Sequence, residues 1–115
     1  MASSKSLCRG WTEADIVQAV GQATEFQRSI LRSIAQNYGT DVIRIAQDIG
    51  AKNYLAVSGG LSSWYQNTTR PMGIKDPATG EDSWPMHVPR VTQNGRSMWR
   101  YEMPSAVAKV VLAHT

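Results

Sequence analysis

The chain has 115 residues, 42% of them apolar, and a formal net charge of +3. This length is near the commonest size of one domain, so a second independent core is not expected. The single cysteine, Cys8, excludes an intramolecular disulfide, and neither a signal peptide nor a membrane-spanning run is visible, so we expect a cytoplasmic protein. The basic excess is mild, and it is compatible with a polyanionic partner without indicating one by itself.

The first part of the chain predicts a short tail and two helices with clear start signals. Residues 1–10 are small, polar and without a periodic pattern, so we expect a flexible tail there. Thr12 and Thr24 each begin a capping box, which Asp15 and Gln27 complete three residues later. Apolar residues then recur at helical spacing. In the second helix these predicted core positions are Phe26, Ile30, Leu31, Ile34, Ala35 and Tyr38.

Residues 41–69 have the spacing of a helix-turn-helix. Thr40 can cap a short helix that ends at Gly50, and Asn53 can cap the next one. Gly50 allows a sharp turn between the two helices, and apolar residues on both of them lock their crossing angle. The second helix must finish near residue 69, because the residue before Pro71 is steered away from helical angles. Its predicted core side carries Tyr54, Val57, Leu61, Trp64 and Tyr65.

A change of period predicts a hairpin at about residues 83–103. Apolar residues there alternate with polar ones instead of recurring every third or fourth position. Asn94-Gly95 lies between two such segments, which is the strongest short-range signal of a two-residue hairpin turn. We expect Trp84 to lie on the first strand and to pack across the hairpin with Trp99 and Tyr101, in preference to those rings stacking on bases. A last helix completes the chain.

The order of the predicted elements is four helices, two strands and one helix, so the expected fold is α+β and mainly α. Two short motifs accompany this order, Gly59-Gly60-Leu61 before the hairpin and Tyr101-Glu102-Met103-Pro104 at its end. In order and motifs the sequence resembles the winged helix-turn-helix superfamily, most of all small actinobacterial winged-helix domains, over about residues 24–113. The resemblance implies one winged-helix domain over residues 11–115, with a helical N-terminal unit, a two-stranded β-hairpin wing and a C-terminal helix. Such domains generally bind DNA.

The exposed side of the helix at 53–69 is free of acidic residues. No acid occurs between Asp48 and Asp76, although the chain has nine. Acidic side chains would repel phosphates, whereas short polar side chains and glutamine can reach base edges and phosphate oxygens. We therefore predict that this helix enters the major groove of double-stranded DNA and that the wing, at 92–97, contacts the backbone or the minor groove. The candidate DNA-binding residues are Lys52, Asn53, Leu55, Gly59, Ser62, Ser63, Gln66, Arg70, Asn94 and Arg96.

Some of these assignments have alternatives. The acid-free side of the helix is also compatible with a neutral, merely solvated surface. Gly59 and Gly60 together cost about 2 kcal/mol of helix propensity relative to alanine. We predict that Gly60 allows close packing against the second helix or the hairpin, whereas for Gly59 such packing and the approach of a DNA backbone are equally good interpretations. The arginines of the earlier helices are interpreted as solvent-facing; they are Arg28, Arg32 and Arg44.

No residue pattern indicates an enzyme. Cys8, His87 and His114 belong to different predicted elements, and no nucleophile–base, metal-ligand or phosphate-loop spacing is present. We expect no catalytic residue, no metal and no cofactor.

Two functions of different classes follow from the sequence. The first is a small transcriptional regulator that binds double-stranded DNA. In that case the apolar residues left over on the outer helices, at 12–20 and 105–113, would form a homodimer interface. The second is a winged-helix module that binds another protein as an adaptor or inhibitor, which the mild charge and the exposed Leu55 favour. No membrane partner is expected.

Overall fold

The helices follow the predicted order, and three short strands are added to the predicted hairpin. The computed structural model describes residues 5–115, which form an α+β domain that is mainly helical. Its helices are α1 (Glu13–Gly21), α2 (Glu25–Gln36), α3 (Val42–Ile49), α4 (Tyr54–Trp64) and α5 (Ser105–His114). Its strands are β1 (Ser6–Cys8), β2 (Trp11–Thr12), β3 (Thr40–Asp41), β4 (Arg90–Gln93) and β5 (Arg96–Tyr101). Within the described residues, none of the helices combines the length and the apolar character that crossing a membrane requires.

Both predicted capping boxes are confirmed, and they explain where the first two helices begin. The Thr12 hydroxyl accepts from the Asp15 backbone N–H at 3.3 Å, and the Asp15 carboxylate accepts from the Thr12 N–H at 3.0 Å. Thr24 and Gln27 make the same reciprocal pair at 3.1 and 2.9 Å. Each box satisfies two backbone N–H groups that have no partner inside the helix.

The N-terminal segment joins the fold earlier than predicted. β1 pairs antiparallel with β2, and this pairing brings Cys8 and Trp11 into the core at 7% and 0% exposure. The Arg9 guanidinium donates to the Asp76 carboxylate at 3.0 Å. The prediction of a flexible tail as far as residue 10 is therefore wrong for the part from Ser6 onward, and residues 1–4 lie outside the described residues.

The five helices surround a core in which tryptophans are the largest side chains. α5 packs against α1 and α2, and α4 packs against α2 and α3. Trp64 is 1% exposed, and its indole Nε1–H donates to the Ala19 carbonyl at 3.1 Å. Because a buried N–H needs an acceptor, this bond ties α4 to α1. The largest fully buried side chains are Trp11, Trp64, Ile16, Ile30, Leu31, Ile34, Ile45, Met86, Met103, Val20, Val57 and Val107.

Three predicted core residues lie at the surface instead. Phe26, Tyr38 and Tyr54 are 39%, 65% and 49% exposed. Phe26 and Tyr54 occupy the first turns of α2 and α4, and Tyr38 follows the end of α2. The helical pattern continues in the sequence to these positions, but they lie at the ends of their helices, where only part of each side chain is buried.

The outer helices place most of their apolar residues in this core. Among the described residues of α1 and α5, Leu112 is the exposed large apolar side chain, at 43%. The predicted homodimer interface on these helices stays a prediction. Their buried residues are Ile16, Ala19 and Val20 in α1 and Val107, Val110 and Val111 in α5.

α3 and α4 are joined by the predicted turn. Gly50 ends α3 in the left-handed conformation (φ +69°), and Asn53 caps α4 by accepting from the Ala56 N–H at 3.0 Å. The cap of α3 differs from the prediction, because Asp41 provides it, accepting from the Arg44 N–H at 2.9 Å, while Thr40 lies in β3.

The helix that begins at Asn53 extends slightly beyond its predicted end. After Trp64 it widens into a π-helical turn, Tyr65–Thr69, and then tightens into a 3₁₀ turn, Arg70–Met72. Pro71 is accommodated there because the first residues of a new turn need no N–H partner. The wide turn buries Thr69, whose hydroxyl accepts from the Trp84 indole Nε1–H at 2.9 Å.

The hairpin turn is confirmed, but the first strand is shorter than predicted. Asn94 and Gly95 both have positive φ (53° and 75°), as a two-residue turn of type I′ requires. β4 begins at Arg90, so the expected strand from Trp84 onward is wrong, and consecutive residues Pro85 and Met86 are both buried. Prolines cannot donate ladder hydrogen bonds, and this segment is linked to its neighbour by an isolated bridge between His87 and Glu102 and by a hydrogen bond from the Arg100 N–H to the Pro89 carbonyl.

The sequence analysis missed a strand that ties the hairpin to the helices. β3 pairs antiparallel with β5 through Thr40–Tyr101 and Asp41–Arg100, so the sheet order is β3-β5-β4. A two-residue strand has no detectable period, and its partner lies about 60 residues away in the chain. Since β3 runs directly into α3, this pairing fixes the hairpin beside the α3–α4 unit.

Candidate nucleic-acid interface

The outer side of α4 carries the residues predicted to meet DNA. Val57, Leu61 and Trp64 are buried on its inner side. On the outer side Leu55 is 62% exposed, and a methyl group added at Gly59 would meet nothing within 4 Å. Lys52, Asn53, Ser62, Gln66 and Arg70 are also exposed, and Ser63 is partly buried.

Several of these polar side chains already have partners within the helix. Asn53 is the cap of α4. The Ser63 hydroxyl accepts from the Asn67 amide at 3.1 Å, and the Gln66 carbonyl oxygen accepts from the Arg70 guanidinium at 3.1 Å. These two bonds connect neighbouring side chains in the C-terminal half of the outer side. They also place the Arg70 guanidinium beside Gln66, one helical turn back along the chain.

The hairpin residues Asn94 and Arg96 do not lie with α4. They line a groove of about 640 Å³ beside α3. The antiparallel pairing of β3 with β5 carries the hairpin tip past the start of α3, which explains this placement. The groove is lined by Asp41, Ile43, Arg44, Gln47, Asn94, Arg96 and Met98.

Arg44 is the functional candidate that sequence reasoning interpreted as solvent-facing. It is exposed and lines the same groove as Arg96. The acid in the groove, Asp41, uses one carboxylate oxygen to cap α3. Arg44 follows β3 by three residues, and knowledge of β3 would have placed it beside the hairpin. The sequence does not reveal a two-residue strand, so this inference could not be made from it.

α3 connects the hairpin groove to the start of α4. Ile43 and Gln47 line the groove and also a shallow depression shared with Lys52, Asn53 and Tyr54. We call this continuous area the α3–wing surface; it is defined by Asp41, Ile43, Arg44, Gln47, Lys52, Asn53, Tyr54, Asn94 and Arg96. It carries three cations, and the nearby Asp48 faces α2 instead, accepting from Ser33 and Asn37.

A second concave area, the aromatic cleft, lies between α4 and β5. It has a volume of about 490 Å³ and includes one predicted site residue, Ser62. Its lining residues are Arg9, Ser58, Leu61, Ser62, Tyr65, Asp82, Ser83, Trp84, Trp99 and Tyr101.

The tryptophans of the cleft contradict the predicted cross-hairpin packing. Trp84 packs on Trp64 and Tyr65, with ring centroids 5.9 and 6.0 Å apart. Trp99 is 49% exposed and has the Arg90 guanidinium 5.2 Å from its ring centroid. The prediction fails because Trp84 lies outside the strand and turns toward α4.

Charges at the edge of the cleft are neutralised within the protein. Hydrogen bonds from Lys75 and from the Tyr65 hydroxyl hold the pKa of the Asp82 carboxyl below its ordinary value. Arg9 is paired with Asp76. The pKa of the Asp76 carboxyl is also below its ordinary value, mainly because it accepts a hydrogen bond from the Ala78 backbone N–H and, to a smaller extent, because it accepts one from Arg9.

Tyr101, at the base of the cleft, has its hydroxyl pKa raised by burial. The strand arginine next to it, Arg100, is engaged within the protein by an ion pair with Glu102 at 2.9 Å, and its guanidinium packs on Gly39. Arg100 is therefore a structural residue.

Among residues 5–115 no cluster of three His, Cys, Asp or Glu side chains could hold a metal ion. A comparison of the chain with protein-family models, with curated proteins and with solved structures finds no match in any of the three. Assignment to a family and to a function therefore has to rest on the order of the elements and the chemistry of the surface.

Proposed function

We propose that this chain is a winged-helix domain that binds double-stranded DNA and acts as a small transcriptional regulator. In this proposal α4 is the recognition helix and the β4–β5 hairpin is the wing. The observation that carries it is the β3-β5-β4 sheet, which fixes a hairpin rigidly beside two helices joined by a sharp turn. Helix and hairpin are thereby presented by one scaffold, as recognition of a groove and its flanking backbone requires.

The dimensions and chemistry of α4 suit a major groove. With its side chains an α-helix is about 10–12 Å across, which matches the groove width of about 12 Å, and the 11 residues of α4 extend about 16 Å along it. The outer side offers Leu55 for a thymine methyl group and Ser62 and Gln66 for base edges or phosphate oxygens. Gly59 leaves open space where a DNA backbone can approach.

The α3–wing surface supplies cations for phosphates. Arg44 and Arg96 share one groove, and Lys52 extends the positive charge to the start of α4. Such contacts position a protein on the duplex without reading its sequence. With three cations and one partly engaged acid, this surface supports modest, salt-sensitive affinity.

The test is the salt dependence of duplex binding by charge-matched variants. Fluorescence anisotropy of a labelled random-sequence duplex is measured at about 50 and about 200 mM salt. In Lys52→Ala/Arg96→Ala we expect weaker binding and a salt slope reduced by about two, one for each lost phosphate contact. The control, Arg32→Ala/Lys109→Ala, removes the same charge from the α2–α5 side and should leave both quantities unchanged. Binding that is insensitive to salt, or equal in the two variants, refutes the proposal.

A second candidate function is the binding of a protein partner. Ile43, Tyr54 and Leu55 are 42%, 49% and 62% exposed on neighbouring parts of α3 and α4. Large apolar side chains at the surface are typical of interaction sites. A stoichiometric partner that survives nuclease treatment, and that is lost in Leu55→Asp, would favour this function. The loss of every partner after nuclease treatment, together with salt-sensitive duplex binding that Leu55→Asp weakens, would favour DNA.

A further inference from the structure

The aromatic cleft is an open concave area with the volume of a small-molecule site. Its volume of about 490 Å³ falls within the usual range of about 300–1,000 Å³ for ligand pockets. Leu61 and Tyr101, both buried, form its base. Ser62 and Trp99, both exposed, belong to its rim on α4 and β5, so an occupant would touch both elements.

The ring of Trp99 is available for stacking. It is 49% exposed, and among the described residues no other aromatic ring packs against it. Arg90 lies over it at 5.2 Å from the centroid and holds the indole in place. A flat aromatic ligand suits a half-exposed indole beside a concave surface. Stacking of two aromatic rings contributes about 0.5–1.5 kcal/mol of binding free energy beyond the burial of their surface area.

The polar groups of the cleft favour an uncharged ligand. Arg9 and Asp82 are each paired with a charge of the protein itself, Asp76 and Lys75 respectively. Arg90 donates to the Ser97 hydroxyl and lies over the Trp99 ring, and it is not among the lining residues. A charged ligand would therefore lose its hydration without finding a free counter-charge in the cleft lining.

Two hydroxyl groups remain to orient the ligand. Ser58 and Ser62 lie one helical turn apart, and within residues 5–115 neither hydroxyl forms a hydrogen bond. Each can donate and accept, so together they match an amide or a similar neutral group on a ring.

We propose that the aromatic cleft binds a small, uncharged, planar aromatic molecule, stacked on Trp99 and hydrogen-bonded to Ser58 and Ser62. This site goes beyond DNA binding and does not depend on it. If α4 and the hairpin also hold DNA, an occupant of the cleft changes the duplex affinity, because it bridges the two elements.

The test uses quinolin-2(1H)-one as the neutral probe and nuclear magnetic resonance of the tryptophan indole N–H groups. We expect the signals of Trp99 and Trp84 to shift in a saturable way, with a Kd of about 1 mM or tighter. The signal of Trp11, which is fully buried away from the cleft lining, should stay unchanged. Quinoline-2-carboxylate and 2-(aminomethyl)quinoline, the matched anion and cation, should bind about tenfold more weakly or worse.

Two variants and one control complete the experiment. Trp99→Ala removes the stacking ring and Ser62→Leu fills the rim, and each should weaken probe binding by about tenfold or more, read from the Trp84 signal. Tyr38→Ala removes an aromatic ring that is 65% exposed and lies outside the cleft, and this variant should bind the probe as the native chain does.

Several results would overturn the site. They are the absence of shifts up to the solubility limit of the probe, unchanged binding in Ser62→Leu, and equal binding of a charged probe. The proposed site would also be refuted if single-stranded oligothymidine shifted the Trp99 and Trp84 signals to saturation while the neutral probe had no effect. In that case Trp99 would be a base-stacking residue.

Discussion

The two adjacent glycines of α4 provide a sharp test of how this helix is packed. Alanine at either position regains about 1 kcal/mol of helix propensity. A methyl group at Gly59 would meet nothing within 4 Å, so Gly59→Ala should stabilise the protein by about that amount. At Gly60 the added carbon would lie 2.8 Å from Ile30 Cδ1 and 3.1 Å from the Phe26 ring on α2.

The expected cost at Gly60 follows from which neighbour can move. Phe26 is 39% exposed and can yield, but Ile30 is 0% exposed and is held by the core. Forcing one extra carbon into a packed interior costs about 1–3 kcal/mol. Since both variants gain the same helix propensity, the free energy of unfolding of Gly60→Ala should be about 1–3 kcal/mol lower than that of Gly59→Ala.

Urea unfolding of both variants and of the native chain measures this difference directly. For a domain of this size each kcal/mol corresponds to about 4 °C in the melting temperature, so thermal unfolding gives a second reading. Equal stability of the two variants would refute the close packing of α4 on α2. The same pair bears on the proposed function: Gly59→Ala should bind duplex DNA more weakly although it is more stable, because its methyl group occupies the space open to a backbone.

Three further predictions concern the scaffold. Asp76→Asn should lower the free energy of unfolding near neutral pH. Because hydrogen bonds from the Ala78 backbone N–H and from Arg9 depress the pKa of Asp76, the difference from the native chain should persist above about pH 4 and close as the pH falls through that depressed value. A difference of constant size in pH-dependent urea unfolding would contradict these two hydrogen bonds to the Asp76 carboxylate. Gly95→Ala should lower the free energy of unfolding by about 1–2 kcal/mol, because φ is +75° at this position. It should also raise the rate of amide hydrogen exchange in β4 and β5, and unchanged exchange rates would contradict the assigned turn. Trp64→Phe removes the hydrogen bond to the Ala19 carbonyl and should lower the free energy of unfolding by about 2 kcal/mol or more. An unchanged free energy of unfolding in chemical denaturation would exclude that bond.

Local signals in the sequence predicted much of the fold. The caps at Thr12, Thr24 and Asn53, the turn at Gly50 and the hairpin turn at Asn94-Gly95 all appear where they were expected. Each depends on backbone geometry and hydrogen bonds within about four residues, and such interactions are encoded in neighbouring side chains.

Long-range contacts decided what the sequence left open. The two residues of β3 acquire their role only by pairing with β5, and this pairing moves Arg96 next to Arg44 rather than to α4. Trp84 and Trp99 are both large and apolar, and for this reason the sequence predicted that they pack across the hairpin. The π-helical turn after Trp64 places an acceptor for Trp84 at Thr69 instead, and Trp99 stays at the surface.

The sequence alone therefore determined the order of the helices, the caps of α1, α2 and α4, the turns at Gly50 and Asn94-Gly95, and the acid-free outer side of α4, because periodicity and capping act over one or two turns of chain. The tertiary structure decided which surfaces come together: the α3–wing surface, the aromatic cleft, and the close approach of Gly60 to Ile30. These depend on strand register and on the extent of the neighbouring helices, and neither quantity leaves a local signature in the order of the residues.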